Sequence, residues 1–248
     1  MEQRPAVESI GESSNSSASW SAIAFAWGGA LLFVASLTFF LYAYLVRFAA
    51  APPGSWFPPV AIDVALFSLF AFHHSLFART PLKAQVRRLV PPALERSLYT
   101  WIASALFLMV CWQWQLVPGV LYRLDEPWRW LGYAVQTAGV LFVFLGSRAL
   151  DVLDLAGIRP LMRTRAHHVP LMTTGAFGVV RHPLYFGWTL LVFGSADMTA
   201  TRAVFAIVSA GYCAAAIPWE ERGLVEVFGP AYEAYRRKVR WRMIPGLY

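Results

Sequence analysis

Long stretches without a charged residue constrain this chain more than any other feature of its sequence. Three runs contain no Asp, Glu, Lys or Arg: 13–46, 97–122 and 130–147. A fourth apolar run, 60–78, carries Asp63 as its charged residue. A helix needs about 20 apolar residues to cross the hydrocarbon core of a bilayer. The sequence therefore predicts four membrane-spanning helices within residues 20–150.

The overall composition agrees with this reading. Charged residues make up 14% of the chain and apolar residues 58%, whereas an ordinary soluble domain is about 25% charged. Such a chain has too little polar surface for a soluble enzyme, and it is too apolar for a disordered protein. We therefore predict an all-α, polytopic helix bundle in a membrane.

Two shorter apolar runs, 184–196 and 203–219, follow Pro183. The first is too short to span a bilayer by itself, so we predict a C-terminal helical hairpin and five or six membrane segments in total. Asp197, between the two runs, is the expected N-cap of the second arm because a side-chain oxygen at that position accepts a free helix N–H.

Basic residues are concentrated in alternate connections. Five, five and six of the 21 Lys and Arg residues lie in the segments 79–96, 148–181 and 222–242. An excess of Lys and Arg marks the cytoplasmic side of a membrane protein, so both termini are predicted to be cytoplasmic. The net charge of +7 thus reflects topology and contact with the lipid bilayer, and we expect no nucleic-acid partner.

The most informative polar motifs lie in the C-terminal 100 residues of the chain. A connection rich in Arg, His, Thr and Gly leads to Arg181-His182-Pro183, and the hairpin ends at Glu220-Glu221. We expect His182 and Glu220 to lie close together at the membrane boundary. Two carboxylates at a helix end near lipid require a cation. Either Arg222 or the Arg236–Arg237 pair supplies it, or a polar ligand does.

These motifs occur together in one known superfamily. TTGAFGVVRHPLYFGW, then a hairpin, then EERGLVEVFGPAYEAYRRKVRWRMIP resembles the integral-membrane methyltransferases. These include isoprenylcysteine carboxyl methyltransferases, phospholipid N-methyltransferases and bacterial methanethiol S-methyltransferases. The upstream segments FAFHHSLFARTPLK and VPPALERSLYTWIASALFLMVCWQWQLVPG, together with MTATRAVFA between the hairpin arms, look most like the methanethiol branch, which implies a bacterial inner membrane.

The resemblance implies a binding site for S-adenosylmethionine. The Ser- and Glu-rich N-terminus predicts a disordered cytoplasmic tail (1–19) and the uncharged runs a four-helix membrane region (20–150); the resemblance makes the remainder (151–248) the catalytic, cofactor-binding region. Matched to the prenylcysteine enzymes, the expected cofactor-binding residues are Val169, Pro170, Leu171, Met172, Phe177, His182, Pro183, Leu184, Tyr185 and Glu220. Aromatic faces suit the sulfonium cation. We expect no metal, and the oligomeric state stays open.

The same resemblance bears on the methyl acceptor. The carboxyl methyltransferases place an Arg four residues before the first Glu, where this chain has Ala216. A carboxylate acceptor would lack its cation there, so a small lipophilic thiol is favoured, most simply methanethiol giving dimethyl sulfide. Methylation of a prenylated cysteine carboxylate or a lipid amine, and a non-enzymatic assembly role, remain alternatives. His182 and Arg181 are the catalytic candidates.

His73 and His74 are unusual because they lie within the second predicted span. Ionisable residues in a span mark functional positions. Neighbouring residues on a helix point about 100° apart, so these two cannot share one metal ion. We expect a hydrogen bond between helices, in a position to line the acceptor pocket.

Overall fold

The computed structural model describes residues 19–77, 85–86, 88–148, 150, 152–161 and 170–248. The predicted N-terminal tail, except Ser19, and the predicted site residue Val169 lie outside these ranges. In chain order the elements are α1 (Trp20–Leu45), α2 (Phe57–Phe77), α3 (Glu95–Gln113), β1 (Val120–Arg123), α4 (Trp128–Ser147), α5 (Val152–Leu155), α6 (Ala176–Val179), α7 (Pro183–Phe193), β2 (Asp197–Thr199), α8 (Ala200–Phe228) and α9 (Pro230–Lys238).

The helix lengths confirm a polytopic helix bundle. Among the described residues, α1, α2, α3, α4 and α8 are long and apolar enough to cross a membrane. Their outer faces carry exposed apolar side chains such as Leu31, Phe72 and Phe144, which suit contact with lipid. The first arm of the hairpin, α7, has only 11 residues. The second arm, α8, continues well beyond the predicted run, to 29 residues.

Three connections meet at one end of the bundle. Strand β1 pairs antiparallel with β2, which joins the α3–α4 connection to the turn between α7 and α8. Arg202 is buried there and donates hydrogen bonds to the carbonyl oxygens of Tyr44, Leu45 and Asp197. This end holds the connections that are poor in basic residues, as the charge pattern predicts.

The predicted N-cap of the second arm is wrong. Thr199 caps α8, because its side chain accepts a hydrogen bond from the Arg202 amide at 3.2 Å. Asp197 instead belongs to β2 and forms an ion pair with Arg129 at 3.3 Å. Its carboxylate therefore connects the hairpin turn to α4.

Aromatic side chains fill the centre of the bundle. Phe40, Tyr44 and Phe205 are almost completely buried. The rings of Phe40 and Phe205 stack at a centroid distance of 5.3 Å, and Trp188 of α7 stacks on Phe40 at 4.7 Å. This cluster fixes α7 and α8 against α1.

Close packing of glycines positions the start of α7. A Cβ on Gly139 of α4 would lie 2.5 Å from the backbone nitrogen of Leu191. One on Gly146 would lie 2.7 Å from the backbone nitrogen of Leu184. Small residues let helices in membranes approach this closely. The contact at Gly146 holds the His182-Pro183-Leu184 turn against the end of α4.

Candidate functional site

The Arg181-His182 pair is held by the last residues of the chain. The Arg181 amide donates to the Trp241 carbonyl at 2.9 Å, and the His182 amide donates to the Arg242 carbonyl at 2.8 Å. His182 then occupies the N-cap position of α7 without a side-chain capping hydrogen bond, and Pro183 lies in the first turn, where its missing N–H is harmless. The predicted helix start is confirmed. The side chains of Arg181 and His182 both contact the glutamates of α8.

The two glutamates of α8 have different surroundings. The Glu221 side chain is 4% exposed, and its carboxylate lies 2.6 Å from Arg181 Nε and 3.6 Å from Arg242 Nε. Arg181 also donates to the Val239 carbonyl at 2.8 Å. The Glu220 side chain, in contrast, is 46% exposed. Glu221 is thus a buried structural partner, whereas Glu220 is open to a ligand.

These contacts correct the prediction of which basic residue neutralises Glu220 and Glu221. Neither Arg222 nor the Arg236–Arg237 pair forms a described ion pair with the glutamates. Arg181 and Arg242 fill that role, because the C-terminal segment folds back across the start of α7. The distance between these residues along the chain hid the pairing from sequence analysis.

His182 bridges the two carboxylates. Its Nδ1 lies 3.5 Å from Glu220 Oε2 and its Nε2 lies 3.5 Å from Glu221 Oε1. Burial by itself would lower the pKa of His182, but the contacts with Glu220 and Glu221 outweigh it and raise the pKa above its ordinary value. The imidazole therefore favours its protonated form, in which both ring nitrogens are donors.

Tyr185 extends this group toward the membrane. Its ring lies parallel to the His182 ring, at a centroid distance of 5.5 Å and an interplanar angle of 8°. Tyr185 interacts electrostatically with Glu220 and packs against the cluster that contains Met243 and Cys213. The structure thus brings together three of the predicted residues: His182, Tyr185 and Glu220.

A second group of predicted residues lies against α9. Leu171 and Phe177 pack on the buried tyrosines Tyr232 and Tyr235, and the Tyr235 hydroxyl donates to the Phe177 carbonyl at 2.8 Å. Among the other predicted residues, Pro170 is exposed, Met172 and Leu184 are half-buried, and Pro183 is buried.

One buried polar atom between these groups, the Tyr232 hydroxyl, lacks a hydrogen-bond partner among the described residues. Tyr232 is 1% exposed and interacts electrostatically with both Glu221 and Arg181. Buried polar groups are normally satisfied, so this hydroxyl is available to a polar ligand. Tyr232 was present in the sequence motif, but only its burial reveals this property.

An open cleft of about 480 Å³ adjoins the site on the side of α9. Its walls alternate in charge and include Glu221; the lining residues are Pro218, Glu221, Arg222, Val225, Glu226, Glu233, Arg236 and Arg242. Its lining does not include His182 or Tyr185, so the cleft adjoins the predicted residues without containing them. Within the described residues, no cluster of His, Cys, Asp and Glu could hold a metal ion.

The inter-helix hydrogen bond expected near His73 and His74 is present. Nδ1 of His74 on α2 lies 2.7 Å from the Tyr99 hydroxyl on α3, and the next residue, Ser75, lies 3.0 Å from the Tyr212 hydroxyl on α8. The two histidines could be recognised from the sequence as unusual residues in a span, whereas their partners Tyr99 and Tyr212 could not. Both are aromatic residues in apolar helices, and nothing in the sequence distinguishes them from packing residues.

Known proteins similar to this chain agree with its motifs. It is 30% identical over 237 residues to methanethiol S-methyltransferase 2 of Bradyrhizobium diazoefficiens, covering 88% of this chain and 91% of the relative. It is 36% identical over 183 residues to methanethiol S-methyltransferase of Crocosphaera subtropica, covering 72% of each. Nurim of Xenopus laevis is 29% identical over 162 residues, 60% of this chain and 56% of the relative. No family model and no solved structure matches.

Proposed function

The chain belongs to the methanethiol S-methyltransferase family, and from this premise we propose that it transfers a methyl group from S-adenosylmethionine to methanethiol, giving dimethyl sulfide. The enzyme is a multi-pass membrane protein. The observation that carries the proposal is the arrangement of Glu220, His182 and Tyr185 at the membrane boundary, beside the buried Tyr232 hydroxyl, which has no hydrogen-bond partner among the described residues.

The residues present suit the proposed methyl donor. Glu220 provides a carboxylate acceptor for the ribose or amino group, and Tyr185 and Phe177 provide aromatic cover for the cation. The other proposed contacts are Val169, Pro170, Leu171, Met172, His182, Pro183 and Leu184. S-adenosylmethionine, when bound, supplies the electrophilic methyl carbon.

The roles of the two catalytic candidates follow from their contacts. Arg181 donates to a carboxylate and to backbone carbonyls, so we assign it to holding Glu221 and the C-terminal segment in place. His182 lies between two carboxylates and favours its protonated form. We therefore assign it to orienting Glu220 for the cofactor, with the chemical gain coming from positioning.

The assignment of a thiol as the methyl acceptor is supported by the residue one helical turn before the glutamates. Ala216 stands one turn before Glu220 on α8 and offers no cation to a carboxylate acceptor. A neutral thiol needs no such partner, and a lipophilic thiol partitions into the bilayer around the helices. The basic end of the bundle, which holds the site, is proposed to face the cytoplasm of a bacterial cell, together with both termini.

A headspace assay tests this function. Purified protein in detergent receives S-adenosylmethionine and methanethiol, with farnesylcysteine and a lipid amine as parallel acceptors. We expect dimethyl sulfide from the wild type and its loss in Glu220→Gln, accompanied by weaker cofactor binding in calorimetry. Glu126→Gln, at an exposed glutamate in the β1–α4 connection at the opposite end of the bundle, is the matched control and should retain both properties.

Two results would contradict the proposal. Turnover of farnesylcysteine or the lipid amine in place of methanethiol would reassign the acceptor. Folded wild-type protein that binds no S-adenosylmethionine would exclude methyl transfer from this donor altogether.

A further inference from the structure

A polar cluster lies inside the bundle, outside the residues assigned to the cofactor. It joins three helices through two hydrogen bonds, from His74 to Tyr99 at 2.7 Å and from Ser75 to Tyr212 at 3.0 Å. The His74 and Tyr212 rings meet edge to face at 6.3 Å. We call these four residues, His74, Ser75, Tyr99 and Tyr212, the membrane polar cluster.

Apolar aromatic rings surround this cluster. Phe70 lies 5.5 Å from the His74 ring, and Phe67 lies 5.9 Å from the Tyr212 ring. Sulfur makes favourable contacts with aromatic edges, so these rings offer suitable contacts to a small organic sulfur compound. The polar atoms at its centre suit a group that can donate one proton.

The cluster is adjacent to the cofactor motif. Glu220 interacts electrostatically with both His74 and Tyr212, and Tyr212 interacts with Tyr185. His74 lies near the end of the α2 span, at the same end of the bundle as Glu220. A molecule beside His74 would therefore also be beside the residues proposed to hold the methyl donor.

A thiol that enters the site from lipid must lose a proton before it can react. It partitions in its neutral form, because burying a thiolate in an apolar medium is costly. The nucleophile is nevertheless the thiolate. A proton acceptor must therefore lie within the membrane part of the site, and His182, which lies between two carboxylates and favours its protonated form, does not suit that role.

We infer that His74 is the general base of the methyl transfer and that the membrane polar cluster is the binding site of the thiol acceptor. This inference rests on the proposed function. When Nδ1–H of His74 donates to the Tyr99 hydroxyl, Nε2 across the ring carries the lone pair that accepts a proton. In this tautomer Tyr99 accepts from His74 and holds the ring in place, as the orienting partner of a catalytic histidine does.

The step balances in atoms and charge. The thiol S–H bond breaks, and an N–H bond forms at His74 Nε2. The thiolate electron pair forms the new S–CH₃ bond, and the pair of the broken S–CH₃ bond stays on the donor sulfur, which becomes neutral. The negative charge of Glu220 stabilises the imidazolium until its proton leaves toward the aqueous end of the span.

A comparison of acceptors tests the base directly. Methaneselenol has nearly the shape of methanethiol but is far more acidic, so it loses its proton more readily in the same site and depends much less on a base. His74→Gln should lower turnover of methanethiol by about 100-fold or more and leave turnover of methaneselenol within a few-fold of wild type. Calorimetry should show unchanged binding of S-adenosylmethionine.

The pH dependence gives a second readout. With methanethiol, the residual activity of His74→Gln should rise with pH as hydroxide ionises more thiol, whereas the wild type should be less dependent on pH. The titratable groups that face His74 are His73 on its own helix, Tyr99 on α3 and Tyr212 and Glu220 on α8. Phe72→Leu, on the outward, lipid-facing side of the same helix, is the control and should keep the wild-type ratio of the two acceptors.

Equal loss of both acceptors in His74→Gln, or no loss of either, would overturn the assignment. If His74→Gln fails to bind cofactor, Tyr99→Phe tests the assignment instead, because it keeps the imidazole and removes the hydroxyl that orients it. A larger loss for the thiol than for the selenol supports the base, and any other result rejects it. Wild-type protein that turns over neither acceptor would instead refute the proposed function itself.

Discussion

Arg181 organises the polar site by connecting three parts of the chain. Its Nε contacts Glu221 on α8, and its Nη1 donates to the carbonyls of Val239 and Arg240 at 2.8 and 2.9 Å. The side chains of Arg181 and Glu221 are only 6% and 4% exposed. A buried ion pair of this kind holds geometry, and removing one partner leaves an uncompensated buried charge.

Loss of one partner should therefore be costly for folding. We expect Arg181→Met to lower the free energy of unfolding by about 3–5 kcal/mol, measured by denaturant titration in detergent micelles. The double variant Arg181→Met with Glu221→Gln should recover part of this loss, because no carboxylate is then left facing a missing guanidinium. A double variant as unstable as the sum of the singles would show that the pair is not coupled.

The same site should make stability depend on pH. The pKa of His182 is raised in the folded protein, so its contribution is fully present below the ordinary value of about 6.5 and is lost as the pH rises through the folded-state pKa. Thermal unfolding between about pH 6 and pH 9 should show a falling midpoint in the wild type. The fall should be smaller in His182→Gln, and identical curves would contradict the assignment.

At the scale of elements, the contact between α4 and α7 determines where the motif begins. Gly139 and Gly146 on α4 and Gly187 on α7 bring the two backbones so close that a Cβ at any of these positions would lie under 3.0 Å from backbone atoms. Backbone cannot move aside as a flexible side chain can. The glycines therefore fix the register of α7 and, with it, the position of His182.

A single added methyl group tests this register. Gly139→Ala should lower the free energy of unfolding by about 1–3 kcal/mol through overpacking, seen as a lower unfolding midpoint and reduced cofactor binding. Gly211→Ala on α8 is the control, since nothing lies within 4 Å of its added Cβ. That variant should be neutral or slightly stabilising, because Ala favours a helix over Gly.

At the scale of the whole molecule, the two ends of the bundle have different chemistry. One end holds the β1–β2 pairing and the buried Arg202, and the other holds the glutamates, His182 and the basic C-terminal segment. The second end combines a polar site with an adjacent cleft. A soluble cofactor and a lipophilic acceptor can thus meet there from opposite directions.

The proposed orientation predicts which end can be labelled from outside. A cysteine replacing Glu126, in the β1–α4 connection, should react with a membrane-impermeant maleimide in intact bacterial cells. One replacing Arg240, beside the site, should react only after the membrane is permeabilised. The reverse pattern would show that the topology is opposite to the proposed one. The native residues Cys111 and Cys213 lie within helices α3 and α8, so we expect little background labelling from them.

Sequence by itself was sufficient for the bundle and for the neighbours of the cofactor motif. Uncharged runs predict spans because lipid cannot solvate charges or free backbone groups, and Pro183 marks the start of α7 because it lacks an N–H. The His182–Glu220 contact also follows, since a short hairpin returns to the side from which it enters. These inferences depend on local chemistry and on the bilayer, both of which are readable from residue order.

Only the tertiary structure decided which partners meet across helices. It paired Glu221 with Arg181 and Arg242 instead of the nearer Arg222, and it moved the cap of α8 from Asp197 to Thr199. It also brought Tyr99 and Tyr212 to the histidine on α2. Such contacts depend on how the helices rotate and approach one another. Close packing, including that of the glycines, determines this arrangement in three dimensions, and it cannot be predicted from residue order alone.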